Sequence, residues 1–309
     1  MLGEVRTGFL LNSTAVSPAT AAALVDLVKG ERVRRSTRPI AYAASADRLV
    51  GVDCDLVTGT GARVRGVGTV TSRAALTGGH VLQGSAYVRV ARDPAARRRP
   101  WSHYLGRPGE LELIGRYDPV AVAAAFVTAR PARTDLNLDA ISLDTMNAVQ
   151  AAPGIDRTPP VTLPQTRLRW AATAAGTAGL QLTIEDERLR TLRLWSDGDP
   201  AALVGLCEDI ALHDWLLSAL IGVVEQARPG PVGWARQVRH LRPAIDHLLH
   251  LWMPAARVDR SVRTLWKELE SQPGFTRQWD ASVSRIRDQI AAGILTQLSA
   301  AAGEGMERT

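Results

Sequence analysis

The sequence predicts an α+β protein, in which a β-rich N-terminal region is followed by an α-helical C-terminal bundle. Up to about residue 150, short apolar runs alternate with Gly, Ser, Thr and Asp, which is typical of strands and turns. From about residue 200, apolar residues recur every three or four positions, which predicts amphipathic helices. Residues 151–165 contain four prolines and no periodicity, which favours a linker. We therefore predict a basic β-rich domain over residues 1–150, a linker over 151–165, and a hairpin plus an α-helical domain over 166–309.

The elements of the N-terminal region follow from its alternating patterns and its helix-start signals. Strands are predicted in GEVRTGFLL, in two parts of PIAYAASADRLVGVDC, in ARVRGVGTVTS, AALTGG and HVLQGSAYVRVA, and in GELELIG. Ser17 with Pro18, and Asp118 with Pro119, each combine an N-cap residue with a proline at the first helical position. They predict helices over about residues 19–29 and over DPVAVAAAFVTA, and a further helix covers LNLDAISLDTMNAVQ.

The C-terminal region begins with a predicted hairpin and continues as four helices. LQLTI and LRTLRLW are separated by the polar residues 185–188, which favours a turn between two strands. Asp199 and Pro200 start the first helix, and later helices are predicted over about 235–253 and 261–269. The last helix has a clean apolar stripe with spacings of 4, 3, 4 and 4, formed by Trp279, Val283, Ile286, Ile290 and Ile294.

Composition favours a cytoplasmic protein that is not embedded in a membrane. No stretch approaches the roughly 20 apolar residues of a membrane-spanning helix, and the N-terminus lacks the pattern of a secretory signal. Cys54 and Cys207 are the only two cysteines and are far apart in sequence, which fits a reducing compartment.

The basic residues are almost all arginine, and their excess is local. Only two of the 37 Lys and Arg residues are lysine, and residues 31–107 contain 14 basic and 5 acidic residues. Guanidinium groups bind phosphate bidentately, and aromatic side chains beside them favour nucleic acid. The candidate nucleic-acid or anion-binding residues are therefore Arg32, Arg34, Arg35, Arg97, Arg98, Arg99, Trp101, His103 and Tyr104. The competing interpretation is a solvated surface whose arginines reflect the codon bias of a GC-rich genome.

Histidine and aspartate on two predicted helices form a weaker candidate metal site. Its ligands would be Asp209, His213, His247 and His250, since helical bundles can bind metals through such residues. No HExxH motif, phosphate-binding glycine loop or nucleophile elbow is present, so the sequence predicts no cofactor and assigns no catalytic residue. ALTGGHV resembles the stretch around the catalytic histidine of trypsin-like proteases, but their GDSGG-type nucleophile loop is absent.

Several longer stretches carry a resemblance to a known family: GEVRTGFLLNS, RPIAYA, GVDC, TGGHVLQGSAYVRV, RRPWSHYLGRPGE, LCEDIALHDWLLSAL, RPAIDHLLHLWMP and PGFTRQWD…RIRDQ. Together they resemble an actinobacterial (Streptomyces-type) protein family that has no assigned activity. Its genes lie in a compact cluster with a SAM-dependent methyltransferase-like protein and a variant P-loop protein. The resemblance implies an intracellular protein with partners encoded in the same cluster, and it carries over no site residues.

Three functions remain open at this point. The leading hypothesis is a non-catalytic scaffold or docking protein that binds its partners through the Trp- and Leu-rich helical half. Trp215, Trp252, Trp266 and Trp279 would then either fill the core or form a partner groove. The first alternative is nucleic-acid or phosphate-ligand binding by the Arg-rich N-terminal half. The second is an enzyme with an unfamiliar site around Asp209, His213 and His247.

Overall fold

The computed structural model describes residues 1–59, 61–92, 97–174, 177–227, 234–271 and 274–306. Within these residues, ten strands form one mixed sheet: β1 (Leu2–Phe9), β2 (Arg34–Ser36), β3 (Tyr42–Ala44), β4 (Arg48–Val57), β5 (Arg63–Thr77), β6 (Val81–Arg92), β7 (Glu110–Ile114), β8 (Thr166–Thr173), β9 (Gly179–Ile184) and β10 (Leu189–Trp195). The strand order is β2-β3-β5-β7-β6-β1-β8-β10-β9, and β4 pairs with β5. Most neighbours are antiparallel, but β6 with β7 and β8 with β10 are parallel.

Helices cover both faces of this sheet. They are α1 (Pro18–Leu24), α2 (Trp101–Leu105), α3 (Pro119–Thr128), α4 (Leu138–Gln150), α5 (Pro200–Gln226), α6 (Trp234–His247), α7 (Arg263–Ser271) and α8 (Phe275–Met306), with 3-10 turns at Leu249–Leu251 and Arg260–Val262. Helices α1, α3 and α4 pack on one face, in two apolar clusters. Helix α5 packs on the other face, in a larger cluster that also includes residues of α6, α7 and α8. The predicted α+β class, β-rich first and helical later, is confirmed.

The helix starts follow the capping signals of the sequence. Ser17, Asp118 and Asp199 each accept a hydrogen bond from a backbone N–H of the first turn, at Thr20, Val120 and Ala202. A proline follows each of the three caps, where its missing N–H costs no helical hydrogen bond. These caps fix where α1, α3 and α5 begin, as the sequence predicts.

The predicted linker connects two parts of the same sheet. Residues 151–165 join α4 to β8, and β8 pairs antiparallel with β1, with Val5 opposite Leu168. The terminal amino group of Met1 also donates to the carbonyl oxygen of Ala172 at 2.6 Å. Residues 166–195 therefore complete the sheet that the N-terminal region begins. The predicted hairpin is present as β9 and β10.

Across the described ranges, no helix is both long enough and apolar enough to cross a membrane.

Candidate functional site

A polar cleft of about 400 Å³ lies between the N-terminal half of α5 and the strands at the β2 end of the sheet. That volume is in the range of small-molecule sites. The wall residues come from β2, β3, β5, β6, α5 and the segment around the second 3-10 turn: Arg34, Ser36, Tyr42, Arg73, Gln83, Asp199, Ala201, Ala202, Gly205, Glu208, Asp209, Arg257 and Asp259. Six chain segments, spread between residues 34 and 259, thus contribute to one concave surface.

A buried ion pair lies in this wall. The Nε and Nη2 atoms of Arg73 donate to the two carboxylate oxygens of Glu208, each at 2.6 Å. Burial by itself would lower the pKa of the Arg73 guanidinium, but the Glu208 charge and its hydrogen bonds raise it above the usual value. The amide nitrogen of Gln83 donates to the backbone carbonyl of Glu208 at 2.9 Å. These contacts attach α5 firmly to β5 and β6.

A second arginine lies between an aromatic ring and a carboxylate. The Arg257 guanidinium carbon lies 4.1 Å from the Tyr42 ring centroid, and its Nη1 donates to the hydroxyl of Thr77 at 3.3 Å. Its Nη2 is 3.8 Å from Oδ1 of Asp209, which is beyond hydrogen-bond distance. Burial, and next the Glu208 charge, raise the pKa of Tyr42, so its phenol stays protonated. These contacts hold Arg257 in place, and its side chain remains 25% exposed to solvent.

Two buried acceptor oxygens of the wall have no hydrogen-bond partner within the described residues. They are Oε1 of Gln83 and Oδ1 of Asp209, on side chains that are 1% and 2% exposed. The other oxygen of Asp209 accepts from the backbone N–H of Ala255 at 3.0 Å. The Gln83 amide orientation is fixed, because its nitrogen must face the carbonyl of Glu208. A buried unpaired acceptor costs about 1–3 kcal/mol, which a ligand's N–H or O–H donor would recover.

Some of the charged groups of the wall are paired within the fold and others are available to a ligand. The wall contains three arginines and four acidic residues. Asp199 caps α5, Asp259 caps the second 3-10 turn by accepting from the N–H of Ser261, and Glu208 is bound to Arg73. Arg34 is exposed, and no ion pair is recorded for its guanidinium in the portions of the chain that the structure describes. The cleft wall thus contains one available cation, one partly available cation and two residues whose buried acceptor oxygens have no hydrogen-bond donor among the described residues.

The first predicted arginine run contributes one residue to the cleft. Arg34 lies opposite Ala44 and Arg35 opposite Ala43, so their side chains project from opposite faces of the sheet. Arg34 lines the cleft, whereas Arg35 lines a separate hollow beside Ser17. Arg32 is exposed before β2 and is absent from the cleft wall.

The residues of the second predicted run, 97–104, mostly contact one another or nearby acidic residues. Arg98 lies 3.3 Å from a carboxylate oxygen of Asp53 and 5.9 Å from the Trp101 ring centroid. The backbone N–H of Arg99 donates to the Tyr104 hydroxyl at 2.8 Å. A further contact joins the ring of His103 to the carboxylate of Glu112 at 2.8 Å, while Arg97 lies among exposed residues.

Arg34 of the first run and Trp101 of the second lie on the same face of the sheet but do not meet. Trp101, which is 39% exposed, packs over Gly51, and Gly51 lies opposite Thr69 of β5. Arg34 corresponds through β3 to Ala75 of the same strand. Six residues of strand separate these positions by roughly 20 Å, so one small ligand cannot bridge them.

The predicted metal ligands separate into two groups. Nδ1 of His213 lies 2.8 Å from the carbonyl oxygen of Asp209 and 3.5 Å from its carboxylate. His247 instead lies beside His80, with 3.3 Å between Nδ1 of His247 and Nε2 of His80. The ring centroid of His250 is 6.5 Å from that of His80. Burial lowers the pKa of His213, and burial followed by His247 and His250 lowers the pKa of His80 to about 4. The described side chains include no group of three or more His, Cys, Asp or Glu that could hold a metal.

Three of the four tryptophans that the sequence singles out in the helical half are buried in the core, and the fourth, Trp252, is half-buried. Trp215, Trp266 and Trp279 are at most 4% exposed, and Trp252 stacks on Trp279 with ring centroids 4.2 Å apart. Of the two roles that the sequence leaves open for them, the structure favours packing over a partner groove.

Most of the cleft lies outside the residues that the sequence singles out. Arg73, Gln83, Glu208 and Arg257 were not candidates, although two of them carry a signal. Arg73 lies in the buried part of β5, and Glu208 lies beside Asp209 in an otherwise apolar stretch of α5. A charged residue inside a buried run needs a partner, and that requirement could have identified both.

Comparison of the chain with models of protein families, with curated proteins and with solved structures found no match. The case for function therefore depends on the geometry of the cleft.

Proposed function

We propose that this chain is a binding protein whose cleft takes a small ligand bearing one anionic group and N–H or O–H donors, such as a phosphorylated sugar or a nucleoside monophosphate. One observation carries the proposal. Gln83 and Asp209, each with a buried oxygen that has no hydrogen-bond partner among the described residues, line the same cleft as the available guanidinium of Arg34.

Each feature of the cleft matches one part of such a ligand. The Arg34 guanidinium suits a phosphate or carboxylate, because it can donate two parallel hydrogen bonds to such a group. Ribose-like hydroxyls would donate to the acceptors of Gln83 and Asp209 and remove their desolvation cost. The four acidic residues of the wall disfavour a polyanion, since only Arg34 and part of Arg257 remain to offset further negative charge.

This proposal follows the phosphate-ligand alternative of the sequence analysis and assigns it to a specific cleft. Docking through the helical half, cluster-encoded partners and a cytoplasmic location stay predictions. The proposal is for binding, because the groups that support it are a guanidinium and acceptor oxygens. His213, next to Asp209 on α5, is buried with its ring in contact with Trp252 and Trp266.

The test is calorimetric titration with adenosine 5′-monophosphate, ribose 5-phosphate and inorganic phosphate. We expect the two organic phosphates to bind more tightly than inorganic phosphate, because only they bring hydroxyl donors. The variant Arg34→Ala should weaken that binding at least tenfold, equivalent to about 1.4 kcal/mol.

The matched control is Arg35→Ala. Arg35 is the next residue of the same strand, is exposed like Arg34 and points to the opposite face. Its removal should change the affinity less than about twofold, which is well below 1 kcal/mol. The proposal fails if no probe binds at about 10 mM, a concentration at which even a very weak site would fill. It fails equally if the two variants lose the same affinity.

A further inference from the structure

The strands at the two ends of the sheet order, β2 and β9, differ sharply in how their outer edges are protected. Strand β4, which among the described strands pairs only with β5, forms a further edge that contains Arg48, Asp53 and Asp55. At one end, β2 has three residues, two of them Arg34 and Arg35, and Pro39 follows shortly after. Short length, charge and proline are the usual means of blocking an exposed sheet edge. The outer edge of β2 is therefore protected against pairing with further strands.

The opposite edge has none of these features. Strand β9, residues Gly179–Ile184, is six residues long and contains neither a charged residue nor a proline. It pairs with β10 on one side, and within the described part of the chain no strand pairs with its other side. Ile184 at its end is 66% exposed. An edge strand without charge or proline presents a row of backbone N–H and C=O groups that have no strand partner.

The side-chain pattern of β9 is symmetric about Leu182. Leu180, Leu182 and Ile184 occupy one face, and Gln181 and Thr183 occupy the other. Leu180 and Leu182 pack against the cluster that contains the C-terminal helices, while Gln181 and Thr183 are exposed. An antiparallel copy centred on Leu182 would place Leu180 opposite Ile184 and Gln181 opposite Thr183. Apolar residues would then meet apolar ones, and polar residues would meet polar ones, without like charges facing each other.

We propose that β9 is a homodimer interface, at which two copies of the chain pair antiparallel about a two-fold axis at Leu182. The occupant is a second copy because the strand, paired with itself, matches apolar with apolar and polar with polar residues, and its lack of charge leaves no repulsion between the copies. The acidic turn supports this register, since Glu185 would lie opposite Gly179 of the other copy and not opposite another acid. Each sheet would continue into the other, and the unpaired N–H and C=O groups of β9 would be satisfied.

Two double variants test this register on the exposed face. In Q181E/T183E, the glutamate introduced at position 181 of one copy faces the glutamate introduced at position 183 of the other, and the two-fold axis repeats this clash. In Q181E/T183K, glutamate faces lysine at the same two places. Within one chain these positions lie opposite Arg193 and Thr191 of β10, so neither variant places like charges against β10.

Sedimentation of the full-length chain from about 1 to about 200 µM gives the readout, since this range brackets weak dimers. We expect a wild-type dimer, a Q181E/T183E dimer at least about tenfold weaker because like charges face each other, and a Q181E/T183K dimer close to wild type. Far-UV circular dichroism verifies that both variants are folded. A wild-type chain that stays monomeric at the highest concentration overturns the proposal. So does a Q181E/T183E dimer as strong as wild type, or loss of the dimer in both variants. None of these outcomes bears on ligand binding in the cleft.

Discussion

Replacing Glu208 by glutamine isolates the buried ion pair in the cleft wall. The substitution keeps the size of the side chain and removes its charge. Arg73 is then left with a guanidinium that cannot lose its proton, on a side chain only 7% exposed. The two 2.6 Å hydrogen bonds to a carboxylate become at most one to a neutral amide oxygen.

The expected loss can be bounded from the contacts that remain. Breaking a buried ion pair by removing one partner typically costs about 3–5 kcal/mol, because a charge is left uncompensated. Arg73 keeps two weaker contacts, with a carboxylate oxygen of Asp47 at 3.9 Å and with the Tyr87 ring, whose centroid lies at 5.6 Å. We therefore expect the free energy of unfolding to fall by about 3 kcal/mol, at the lower end of that range.

Urea denaturation followed by tryptophan fluorescence measures this loss. The control is Asp246→Asn, which removes the acid of the exposed pair with Arg242, whose side chains are 44% and 76% exposed respectively. That variant should lose less than about 1 kcal/mol, because solvent screens the pair. The double variant R73M/E208L should recover most of the loss, because it removes both buried charges together. A Glu208→Gln loss below about 1 kcal/mol, or one equal to that of Asp246→Asn, refutes the reasoning.

Three further predictions concern stability. The pKa of His80 is lowered from 6.5 to about 4 by burial and by its histidine neighbours, so the unfolded chain binds the proton first as pH falls. The His80 contribution is then complete above pH 6.5, and about 2 kcal/mol of it should be lost between about pH 7 and 4.5. Urea titrations at both pH values should show a smaller decrease for His80→Gln, and an equal decrease contradicts the assignment. Gly84→Ala should cost about 1–3 kcal/mol, since its Cβ would overlap the Ser142 carbonyl oxygen of α4. Thermal unfolding unchanged from wild type would show that α4 moves freely. Asp199→Ala should cost about 1 kcal/mol by uncapping α5, and the same assay with Asp197→Ala, a neighbouring acid that does not cap the helix, should show less.

Local signals in the sequence were sufficient for elements whose causes are local. The Asp118-Pro119 and Asp199-Pro200 pairs place the starts of α3 and α5, because a cap acts on the turn that follows it. The hairpin of β9 and β10 is predicted for the same reason, since its turn lies between the two strands. Pairing over long distances has no such signal. Strand β1 lies between β6 and β8, about 80 and 165 residues away along the chain, and periodicity does not encode that choice.

The same limit explains the mixed outcome at the cleft. Arg34 was a candidate because it belongs to a visible arginine run, but its neighbour Arg35 was an equally good candidate. Only the pairing of β2 with β3 shows which of the two faces α5. Arg257 carried no signal, because its contact with Tyr42 joins residues more than 200 positions apart. The arginine run in the sequence therefore predicts the region of the cleft, and the register of β2 shows that Arg34 is the arginine that faces it.

The buried acidic residues of α5 differ in how their carboxylates are paired. Glu208 forms an ion pair with Arg73. Asp214, whose pKa burial raises to about 6, forms an ion pair with Arg190 at 2.8 Å. In both pairs the opposite charges balance each other inside the fold. Asp209 lies on the same helix and is as deeply buried, yet among the described residues its Oδ1 has no hydrogen-bond donor, and the nearby arginine is held 3.8 Å away by Tyr42 and Thr77. Under the proposed function, Asp209 and Gln83 are the residues of the wall to which a ligand would donate hydrogen bonds.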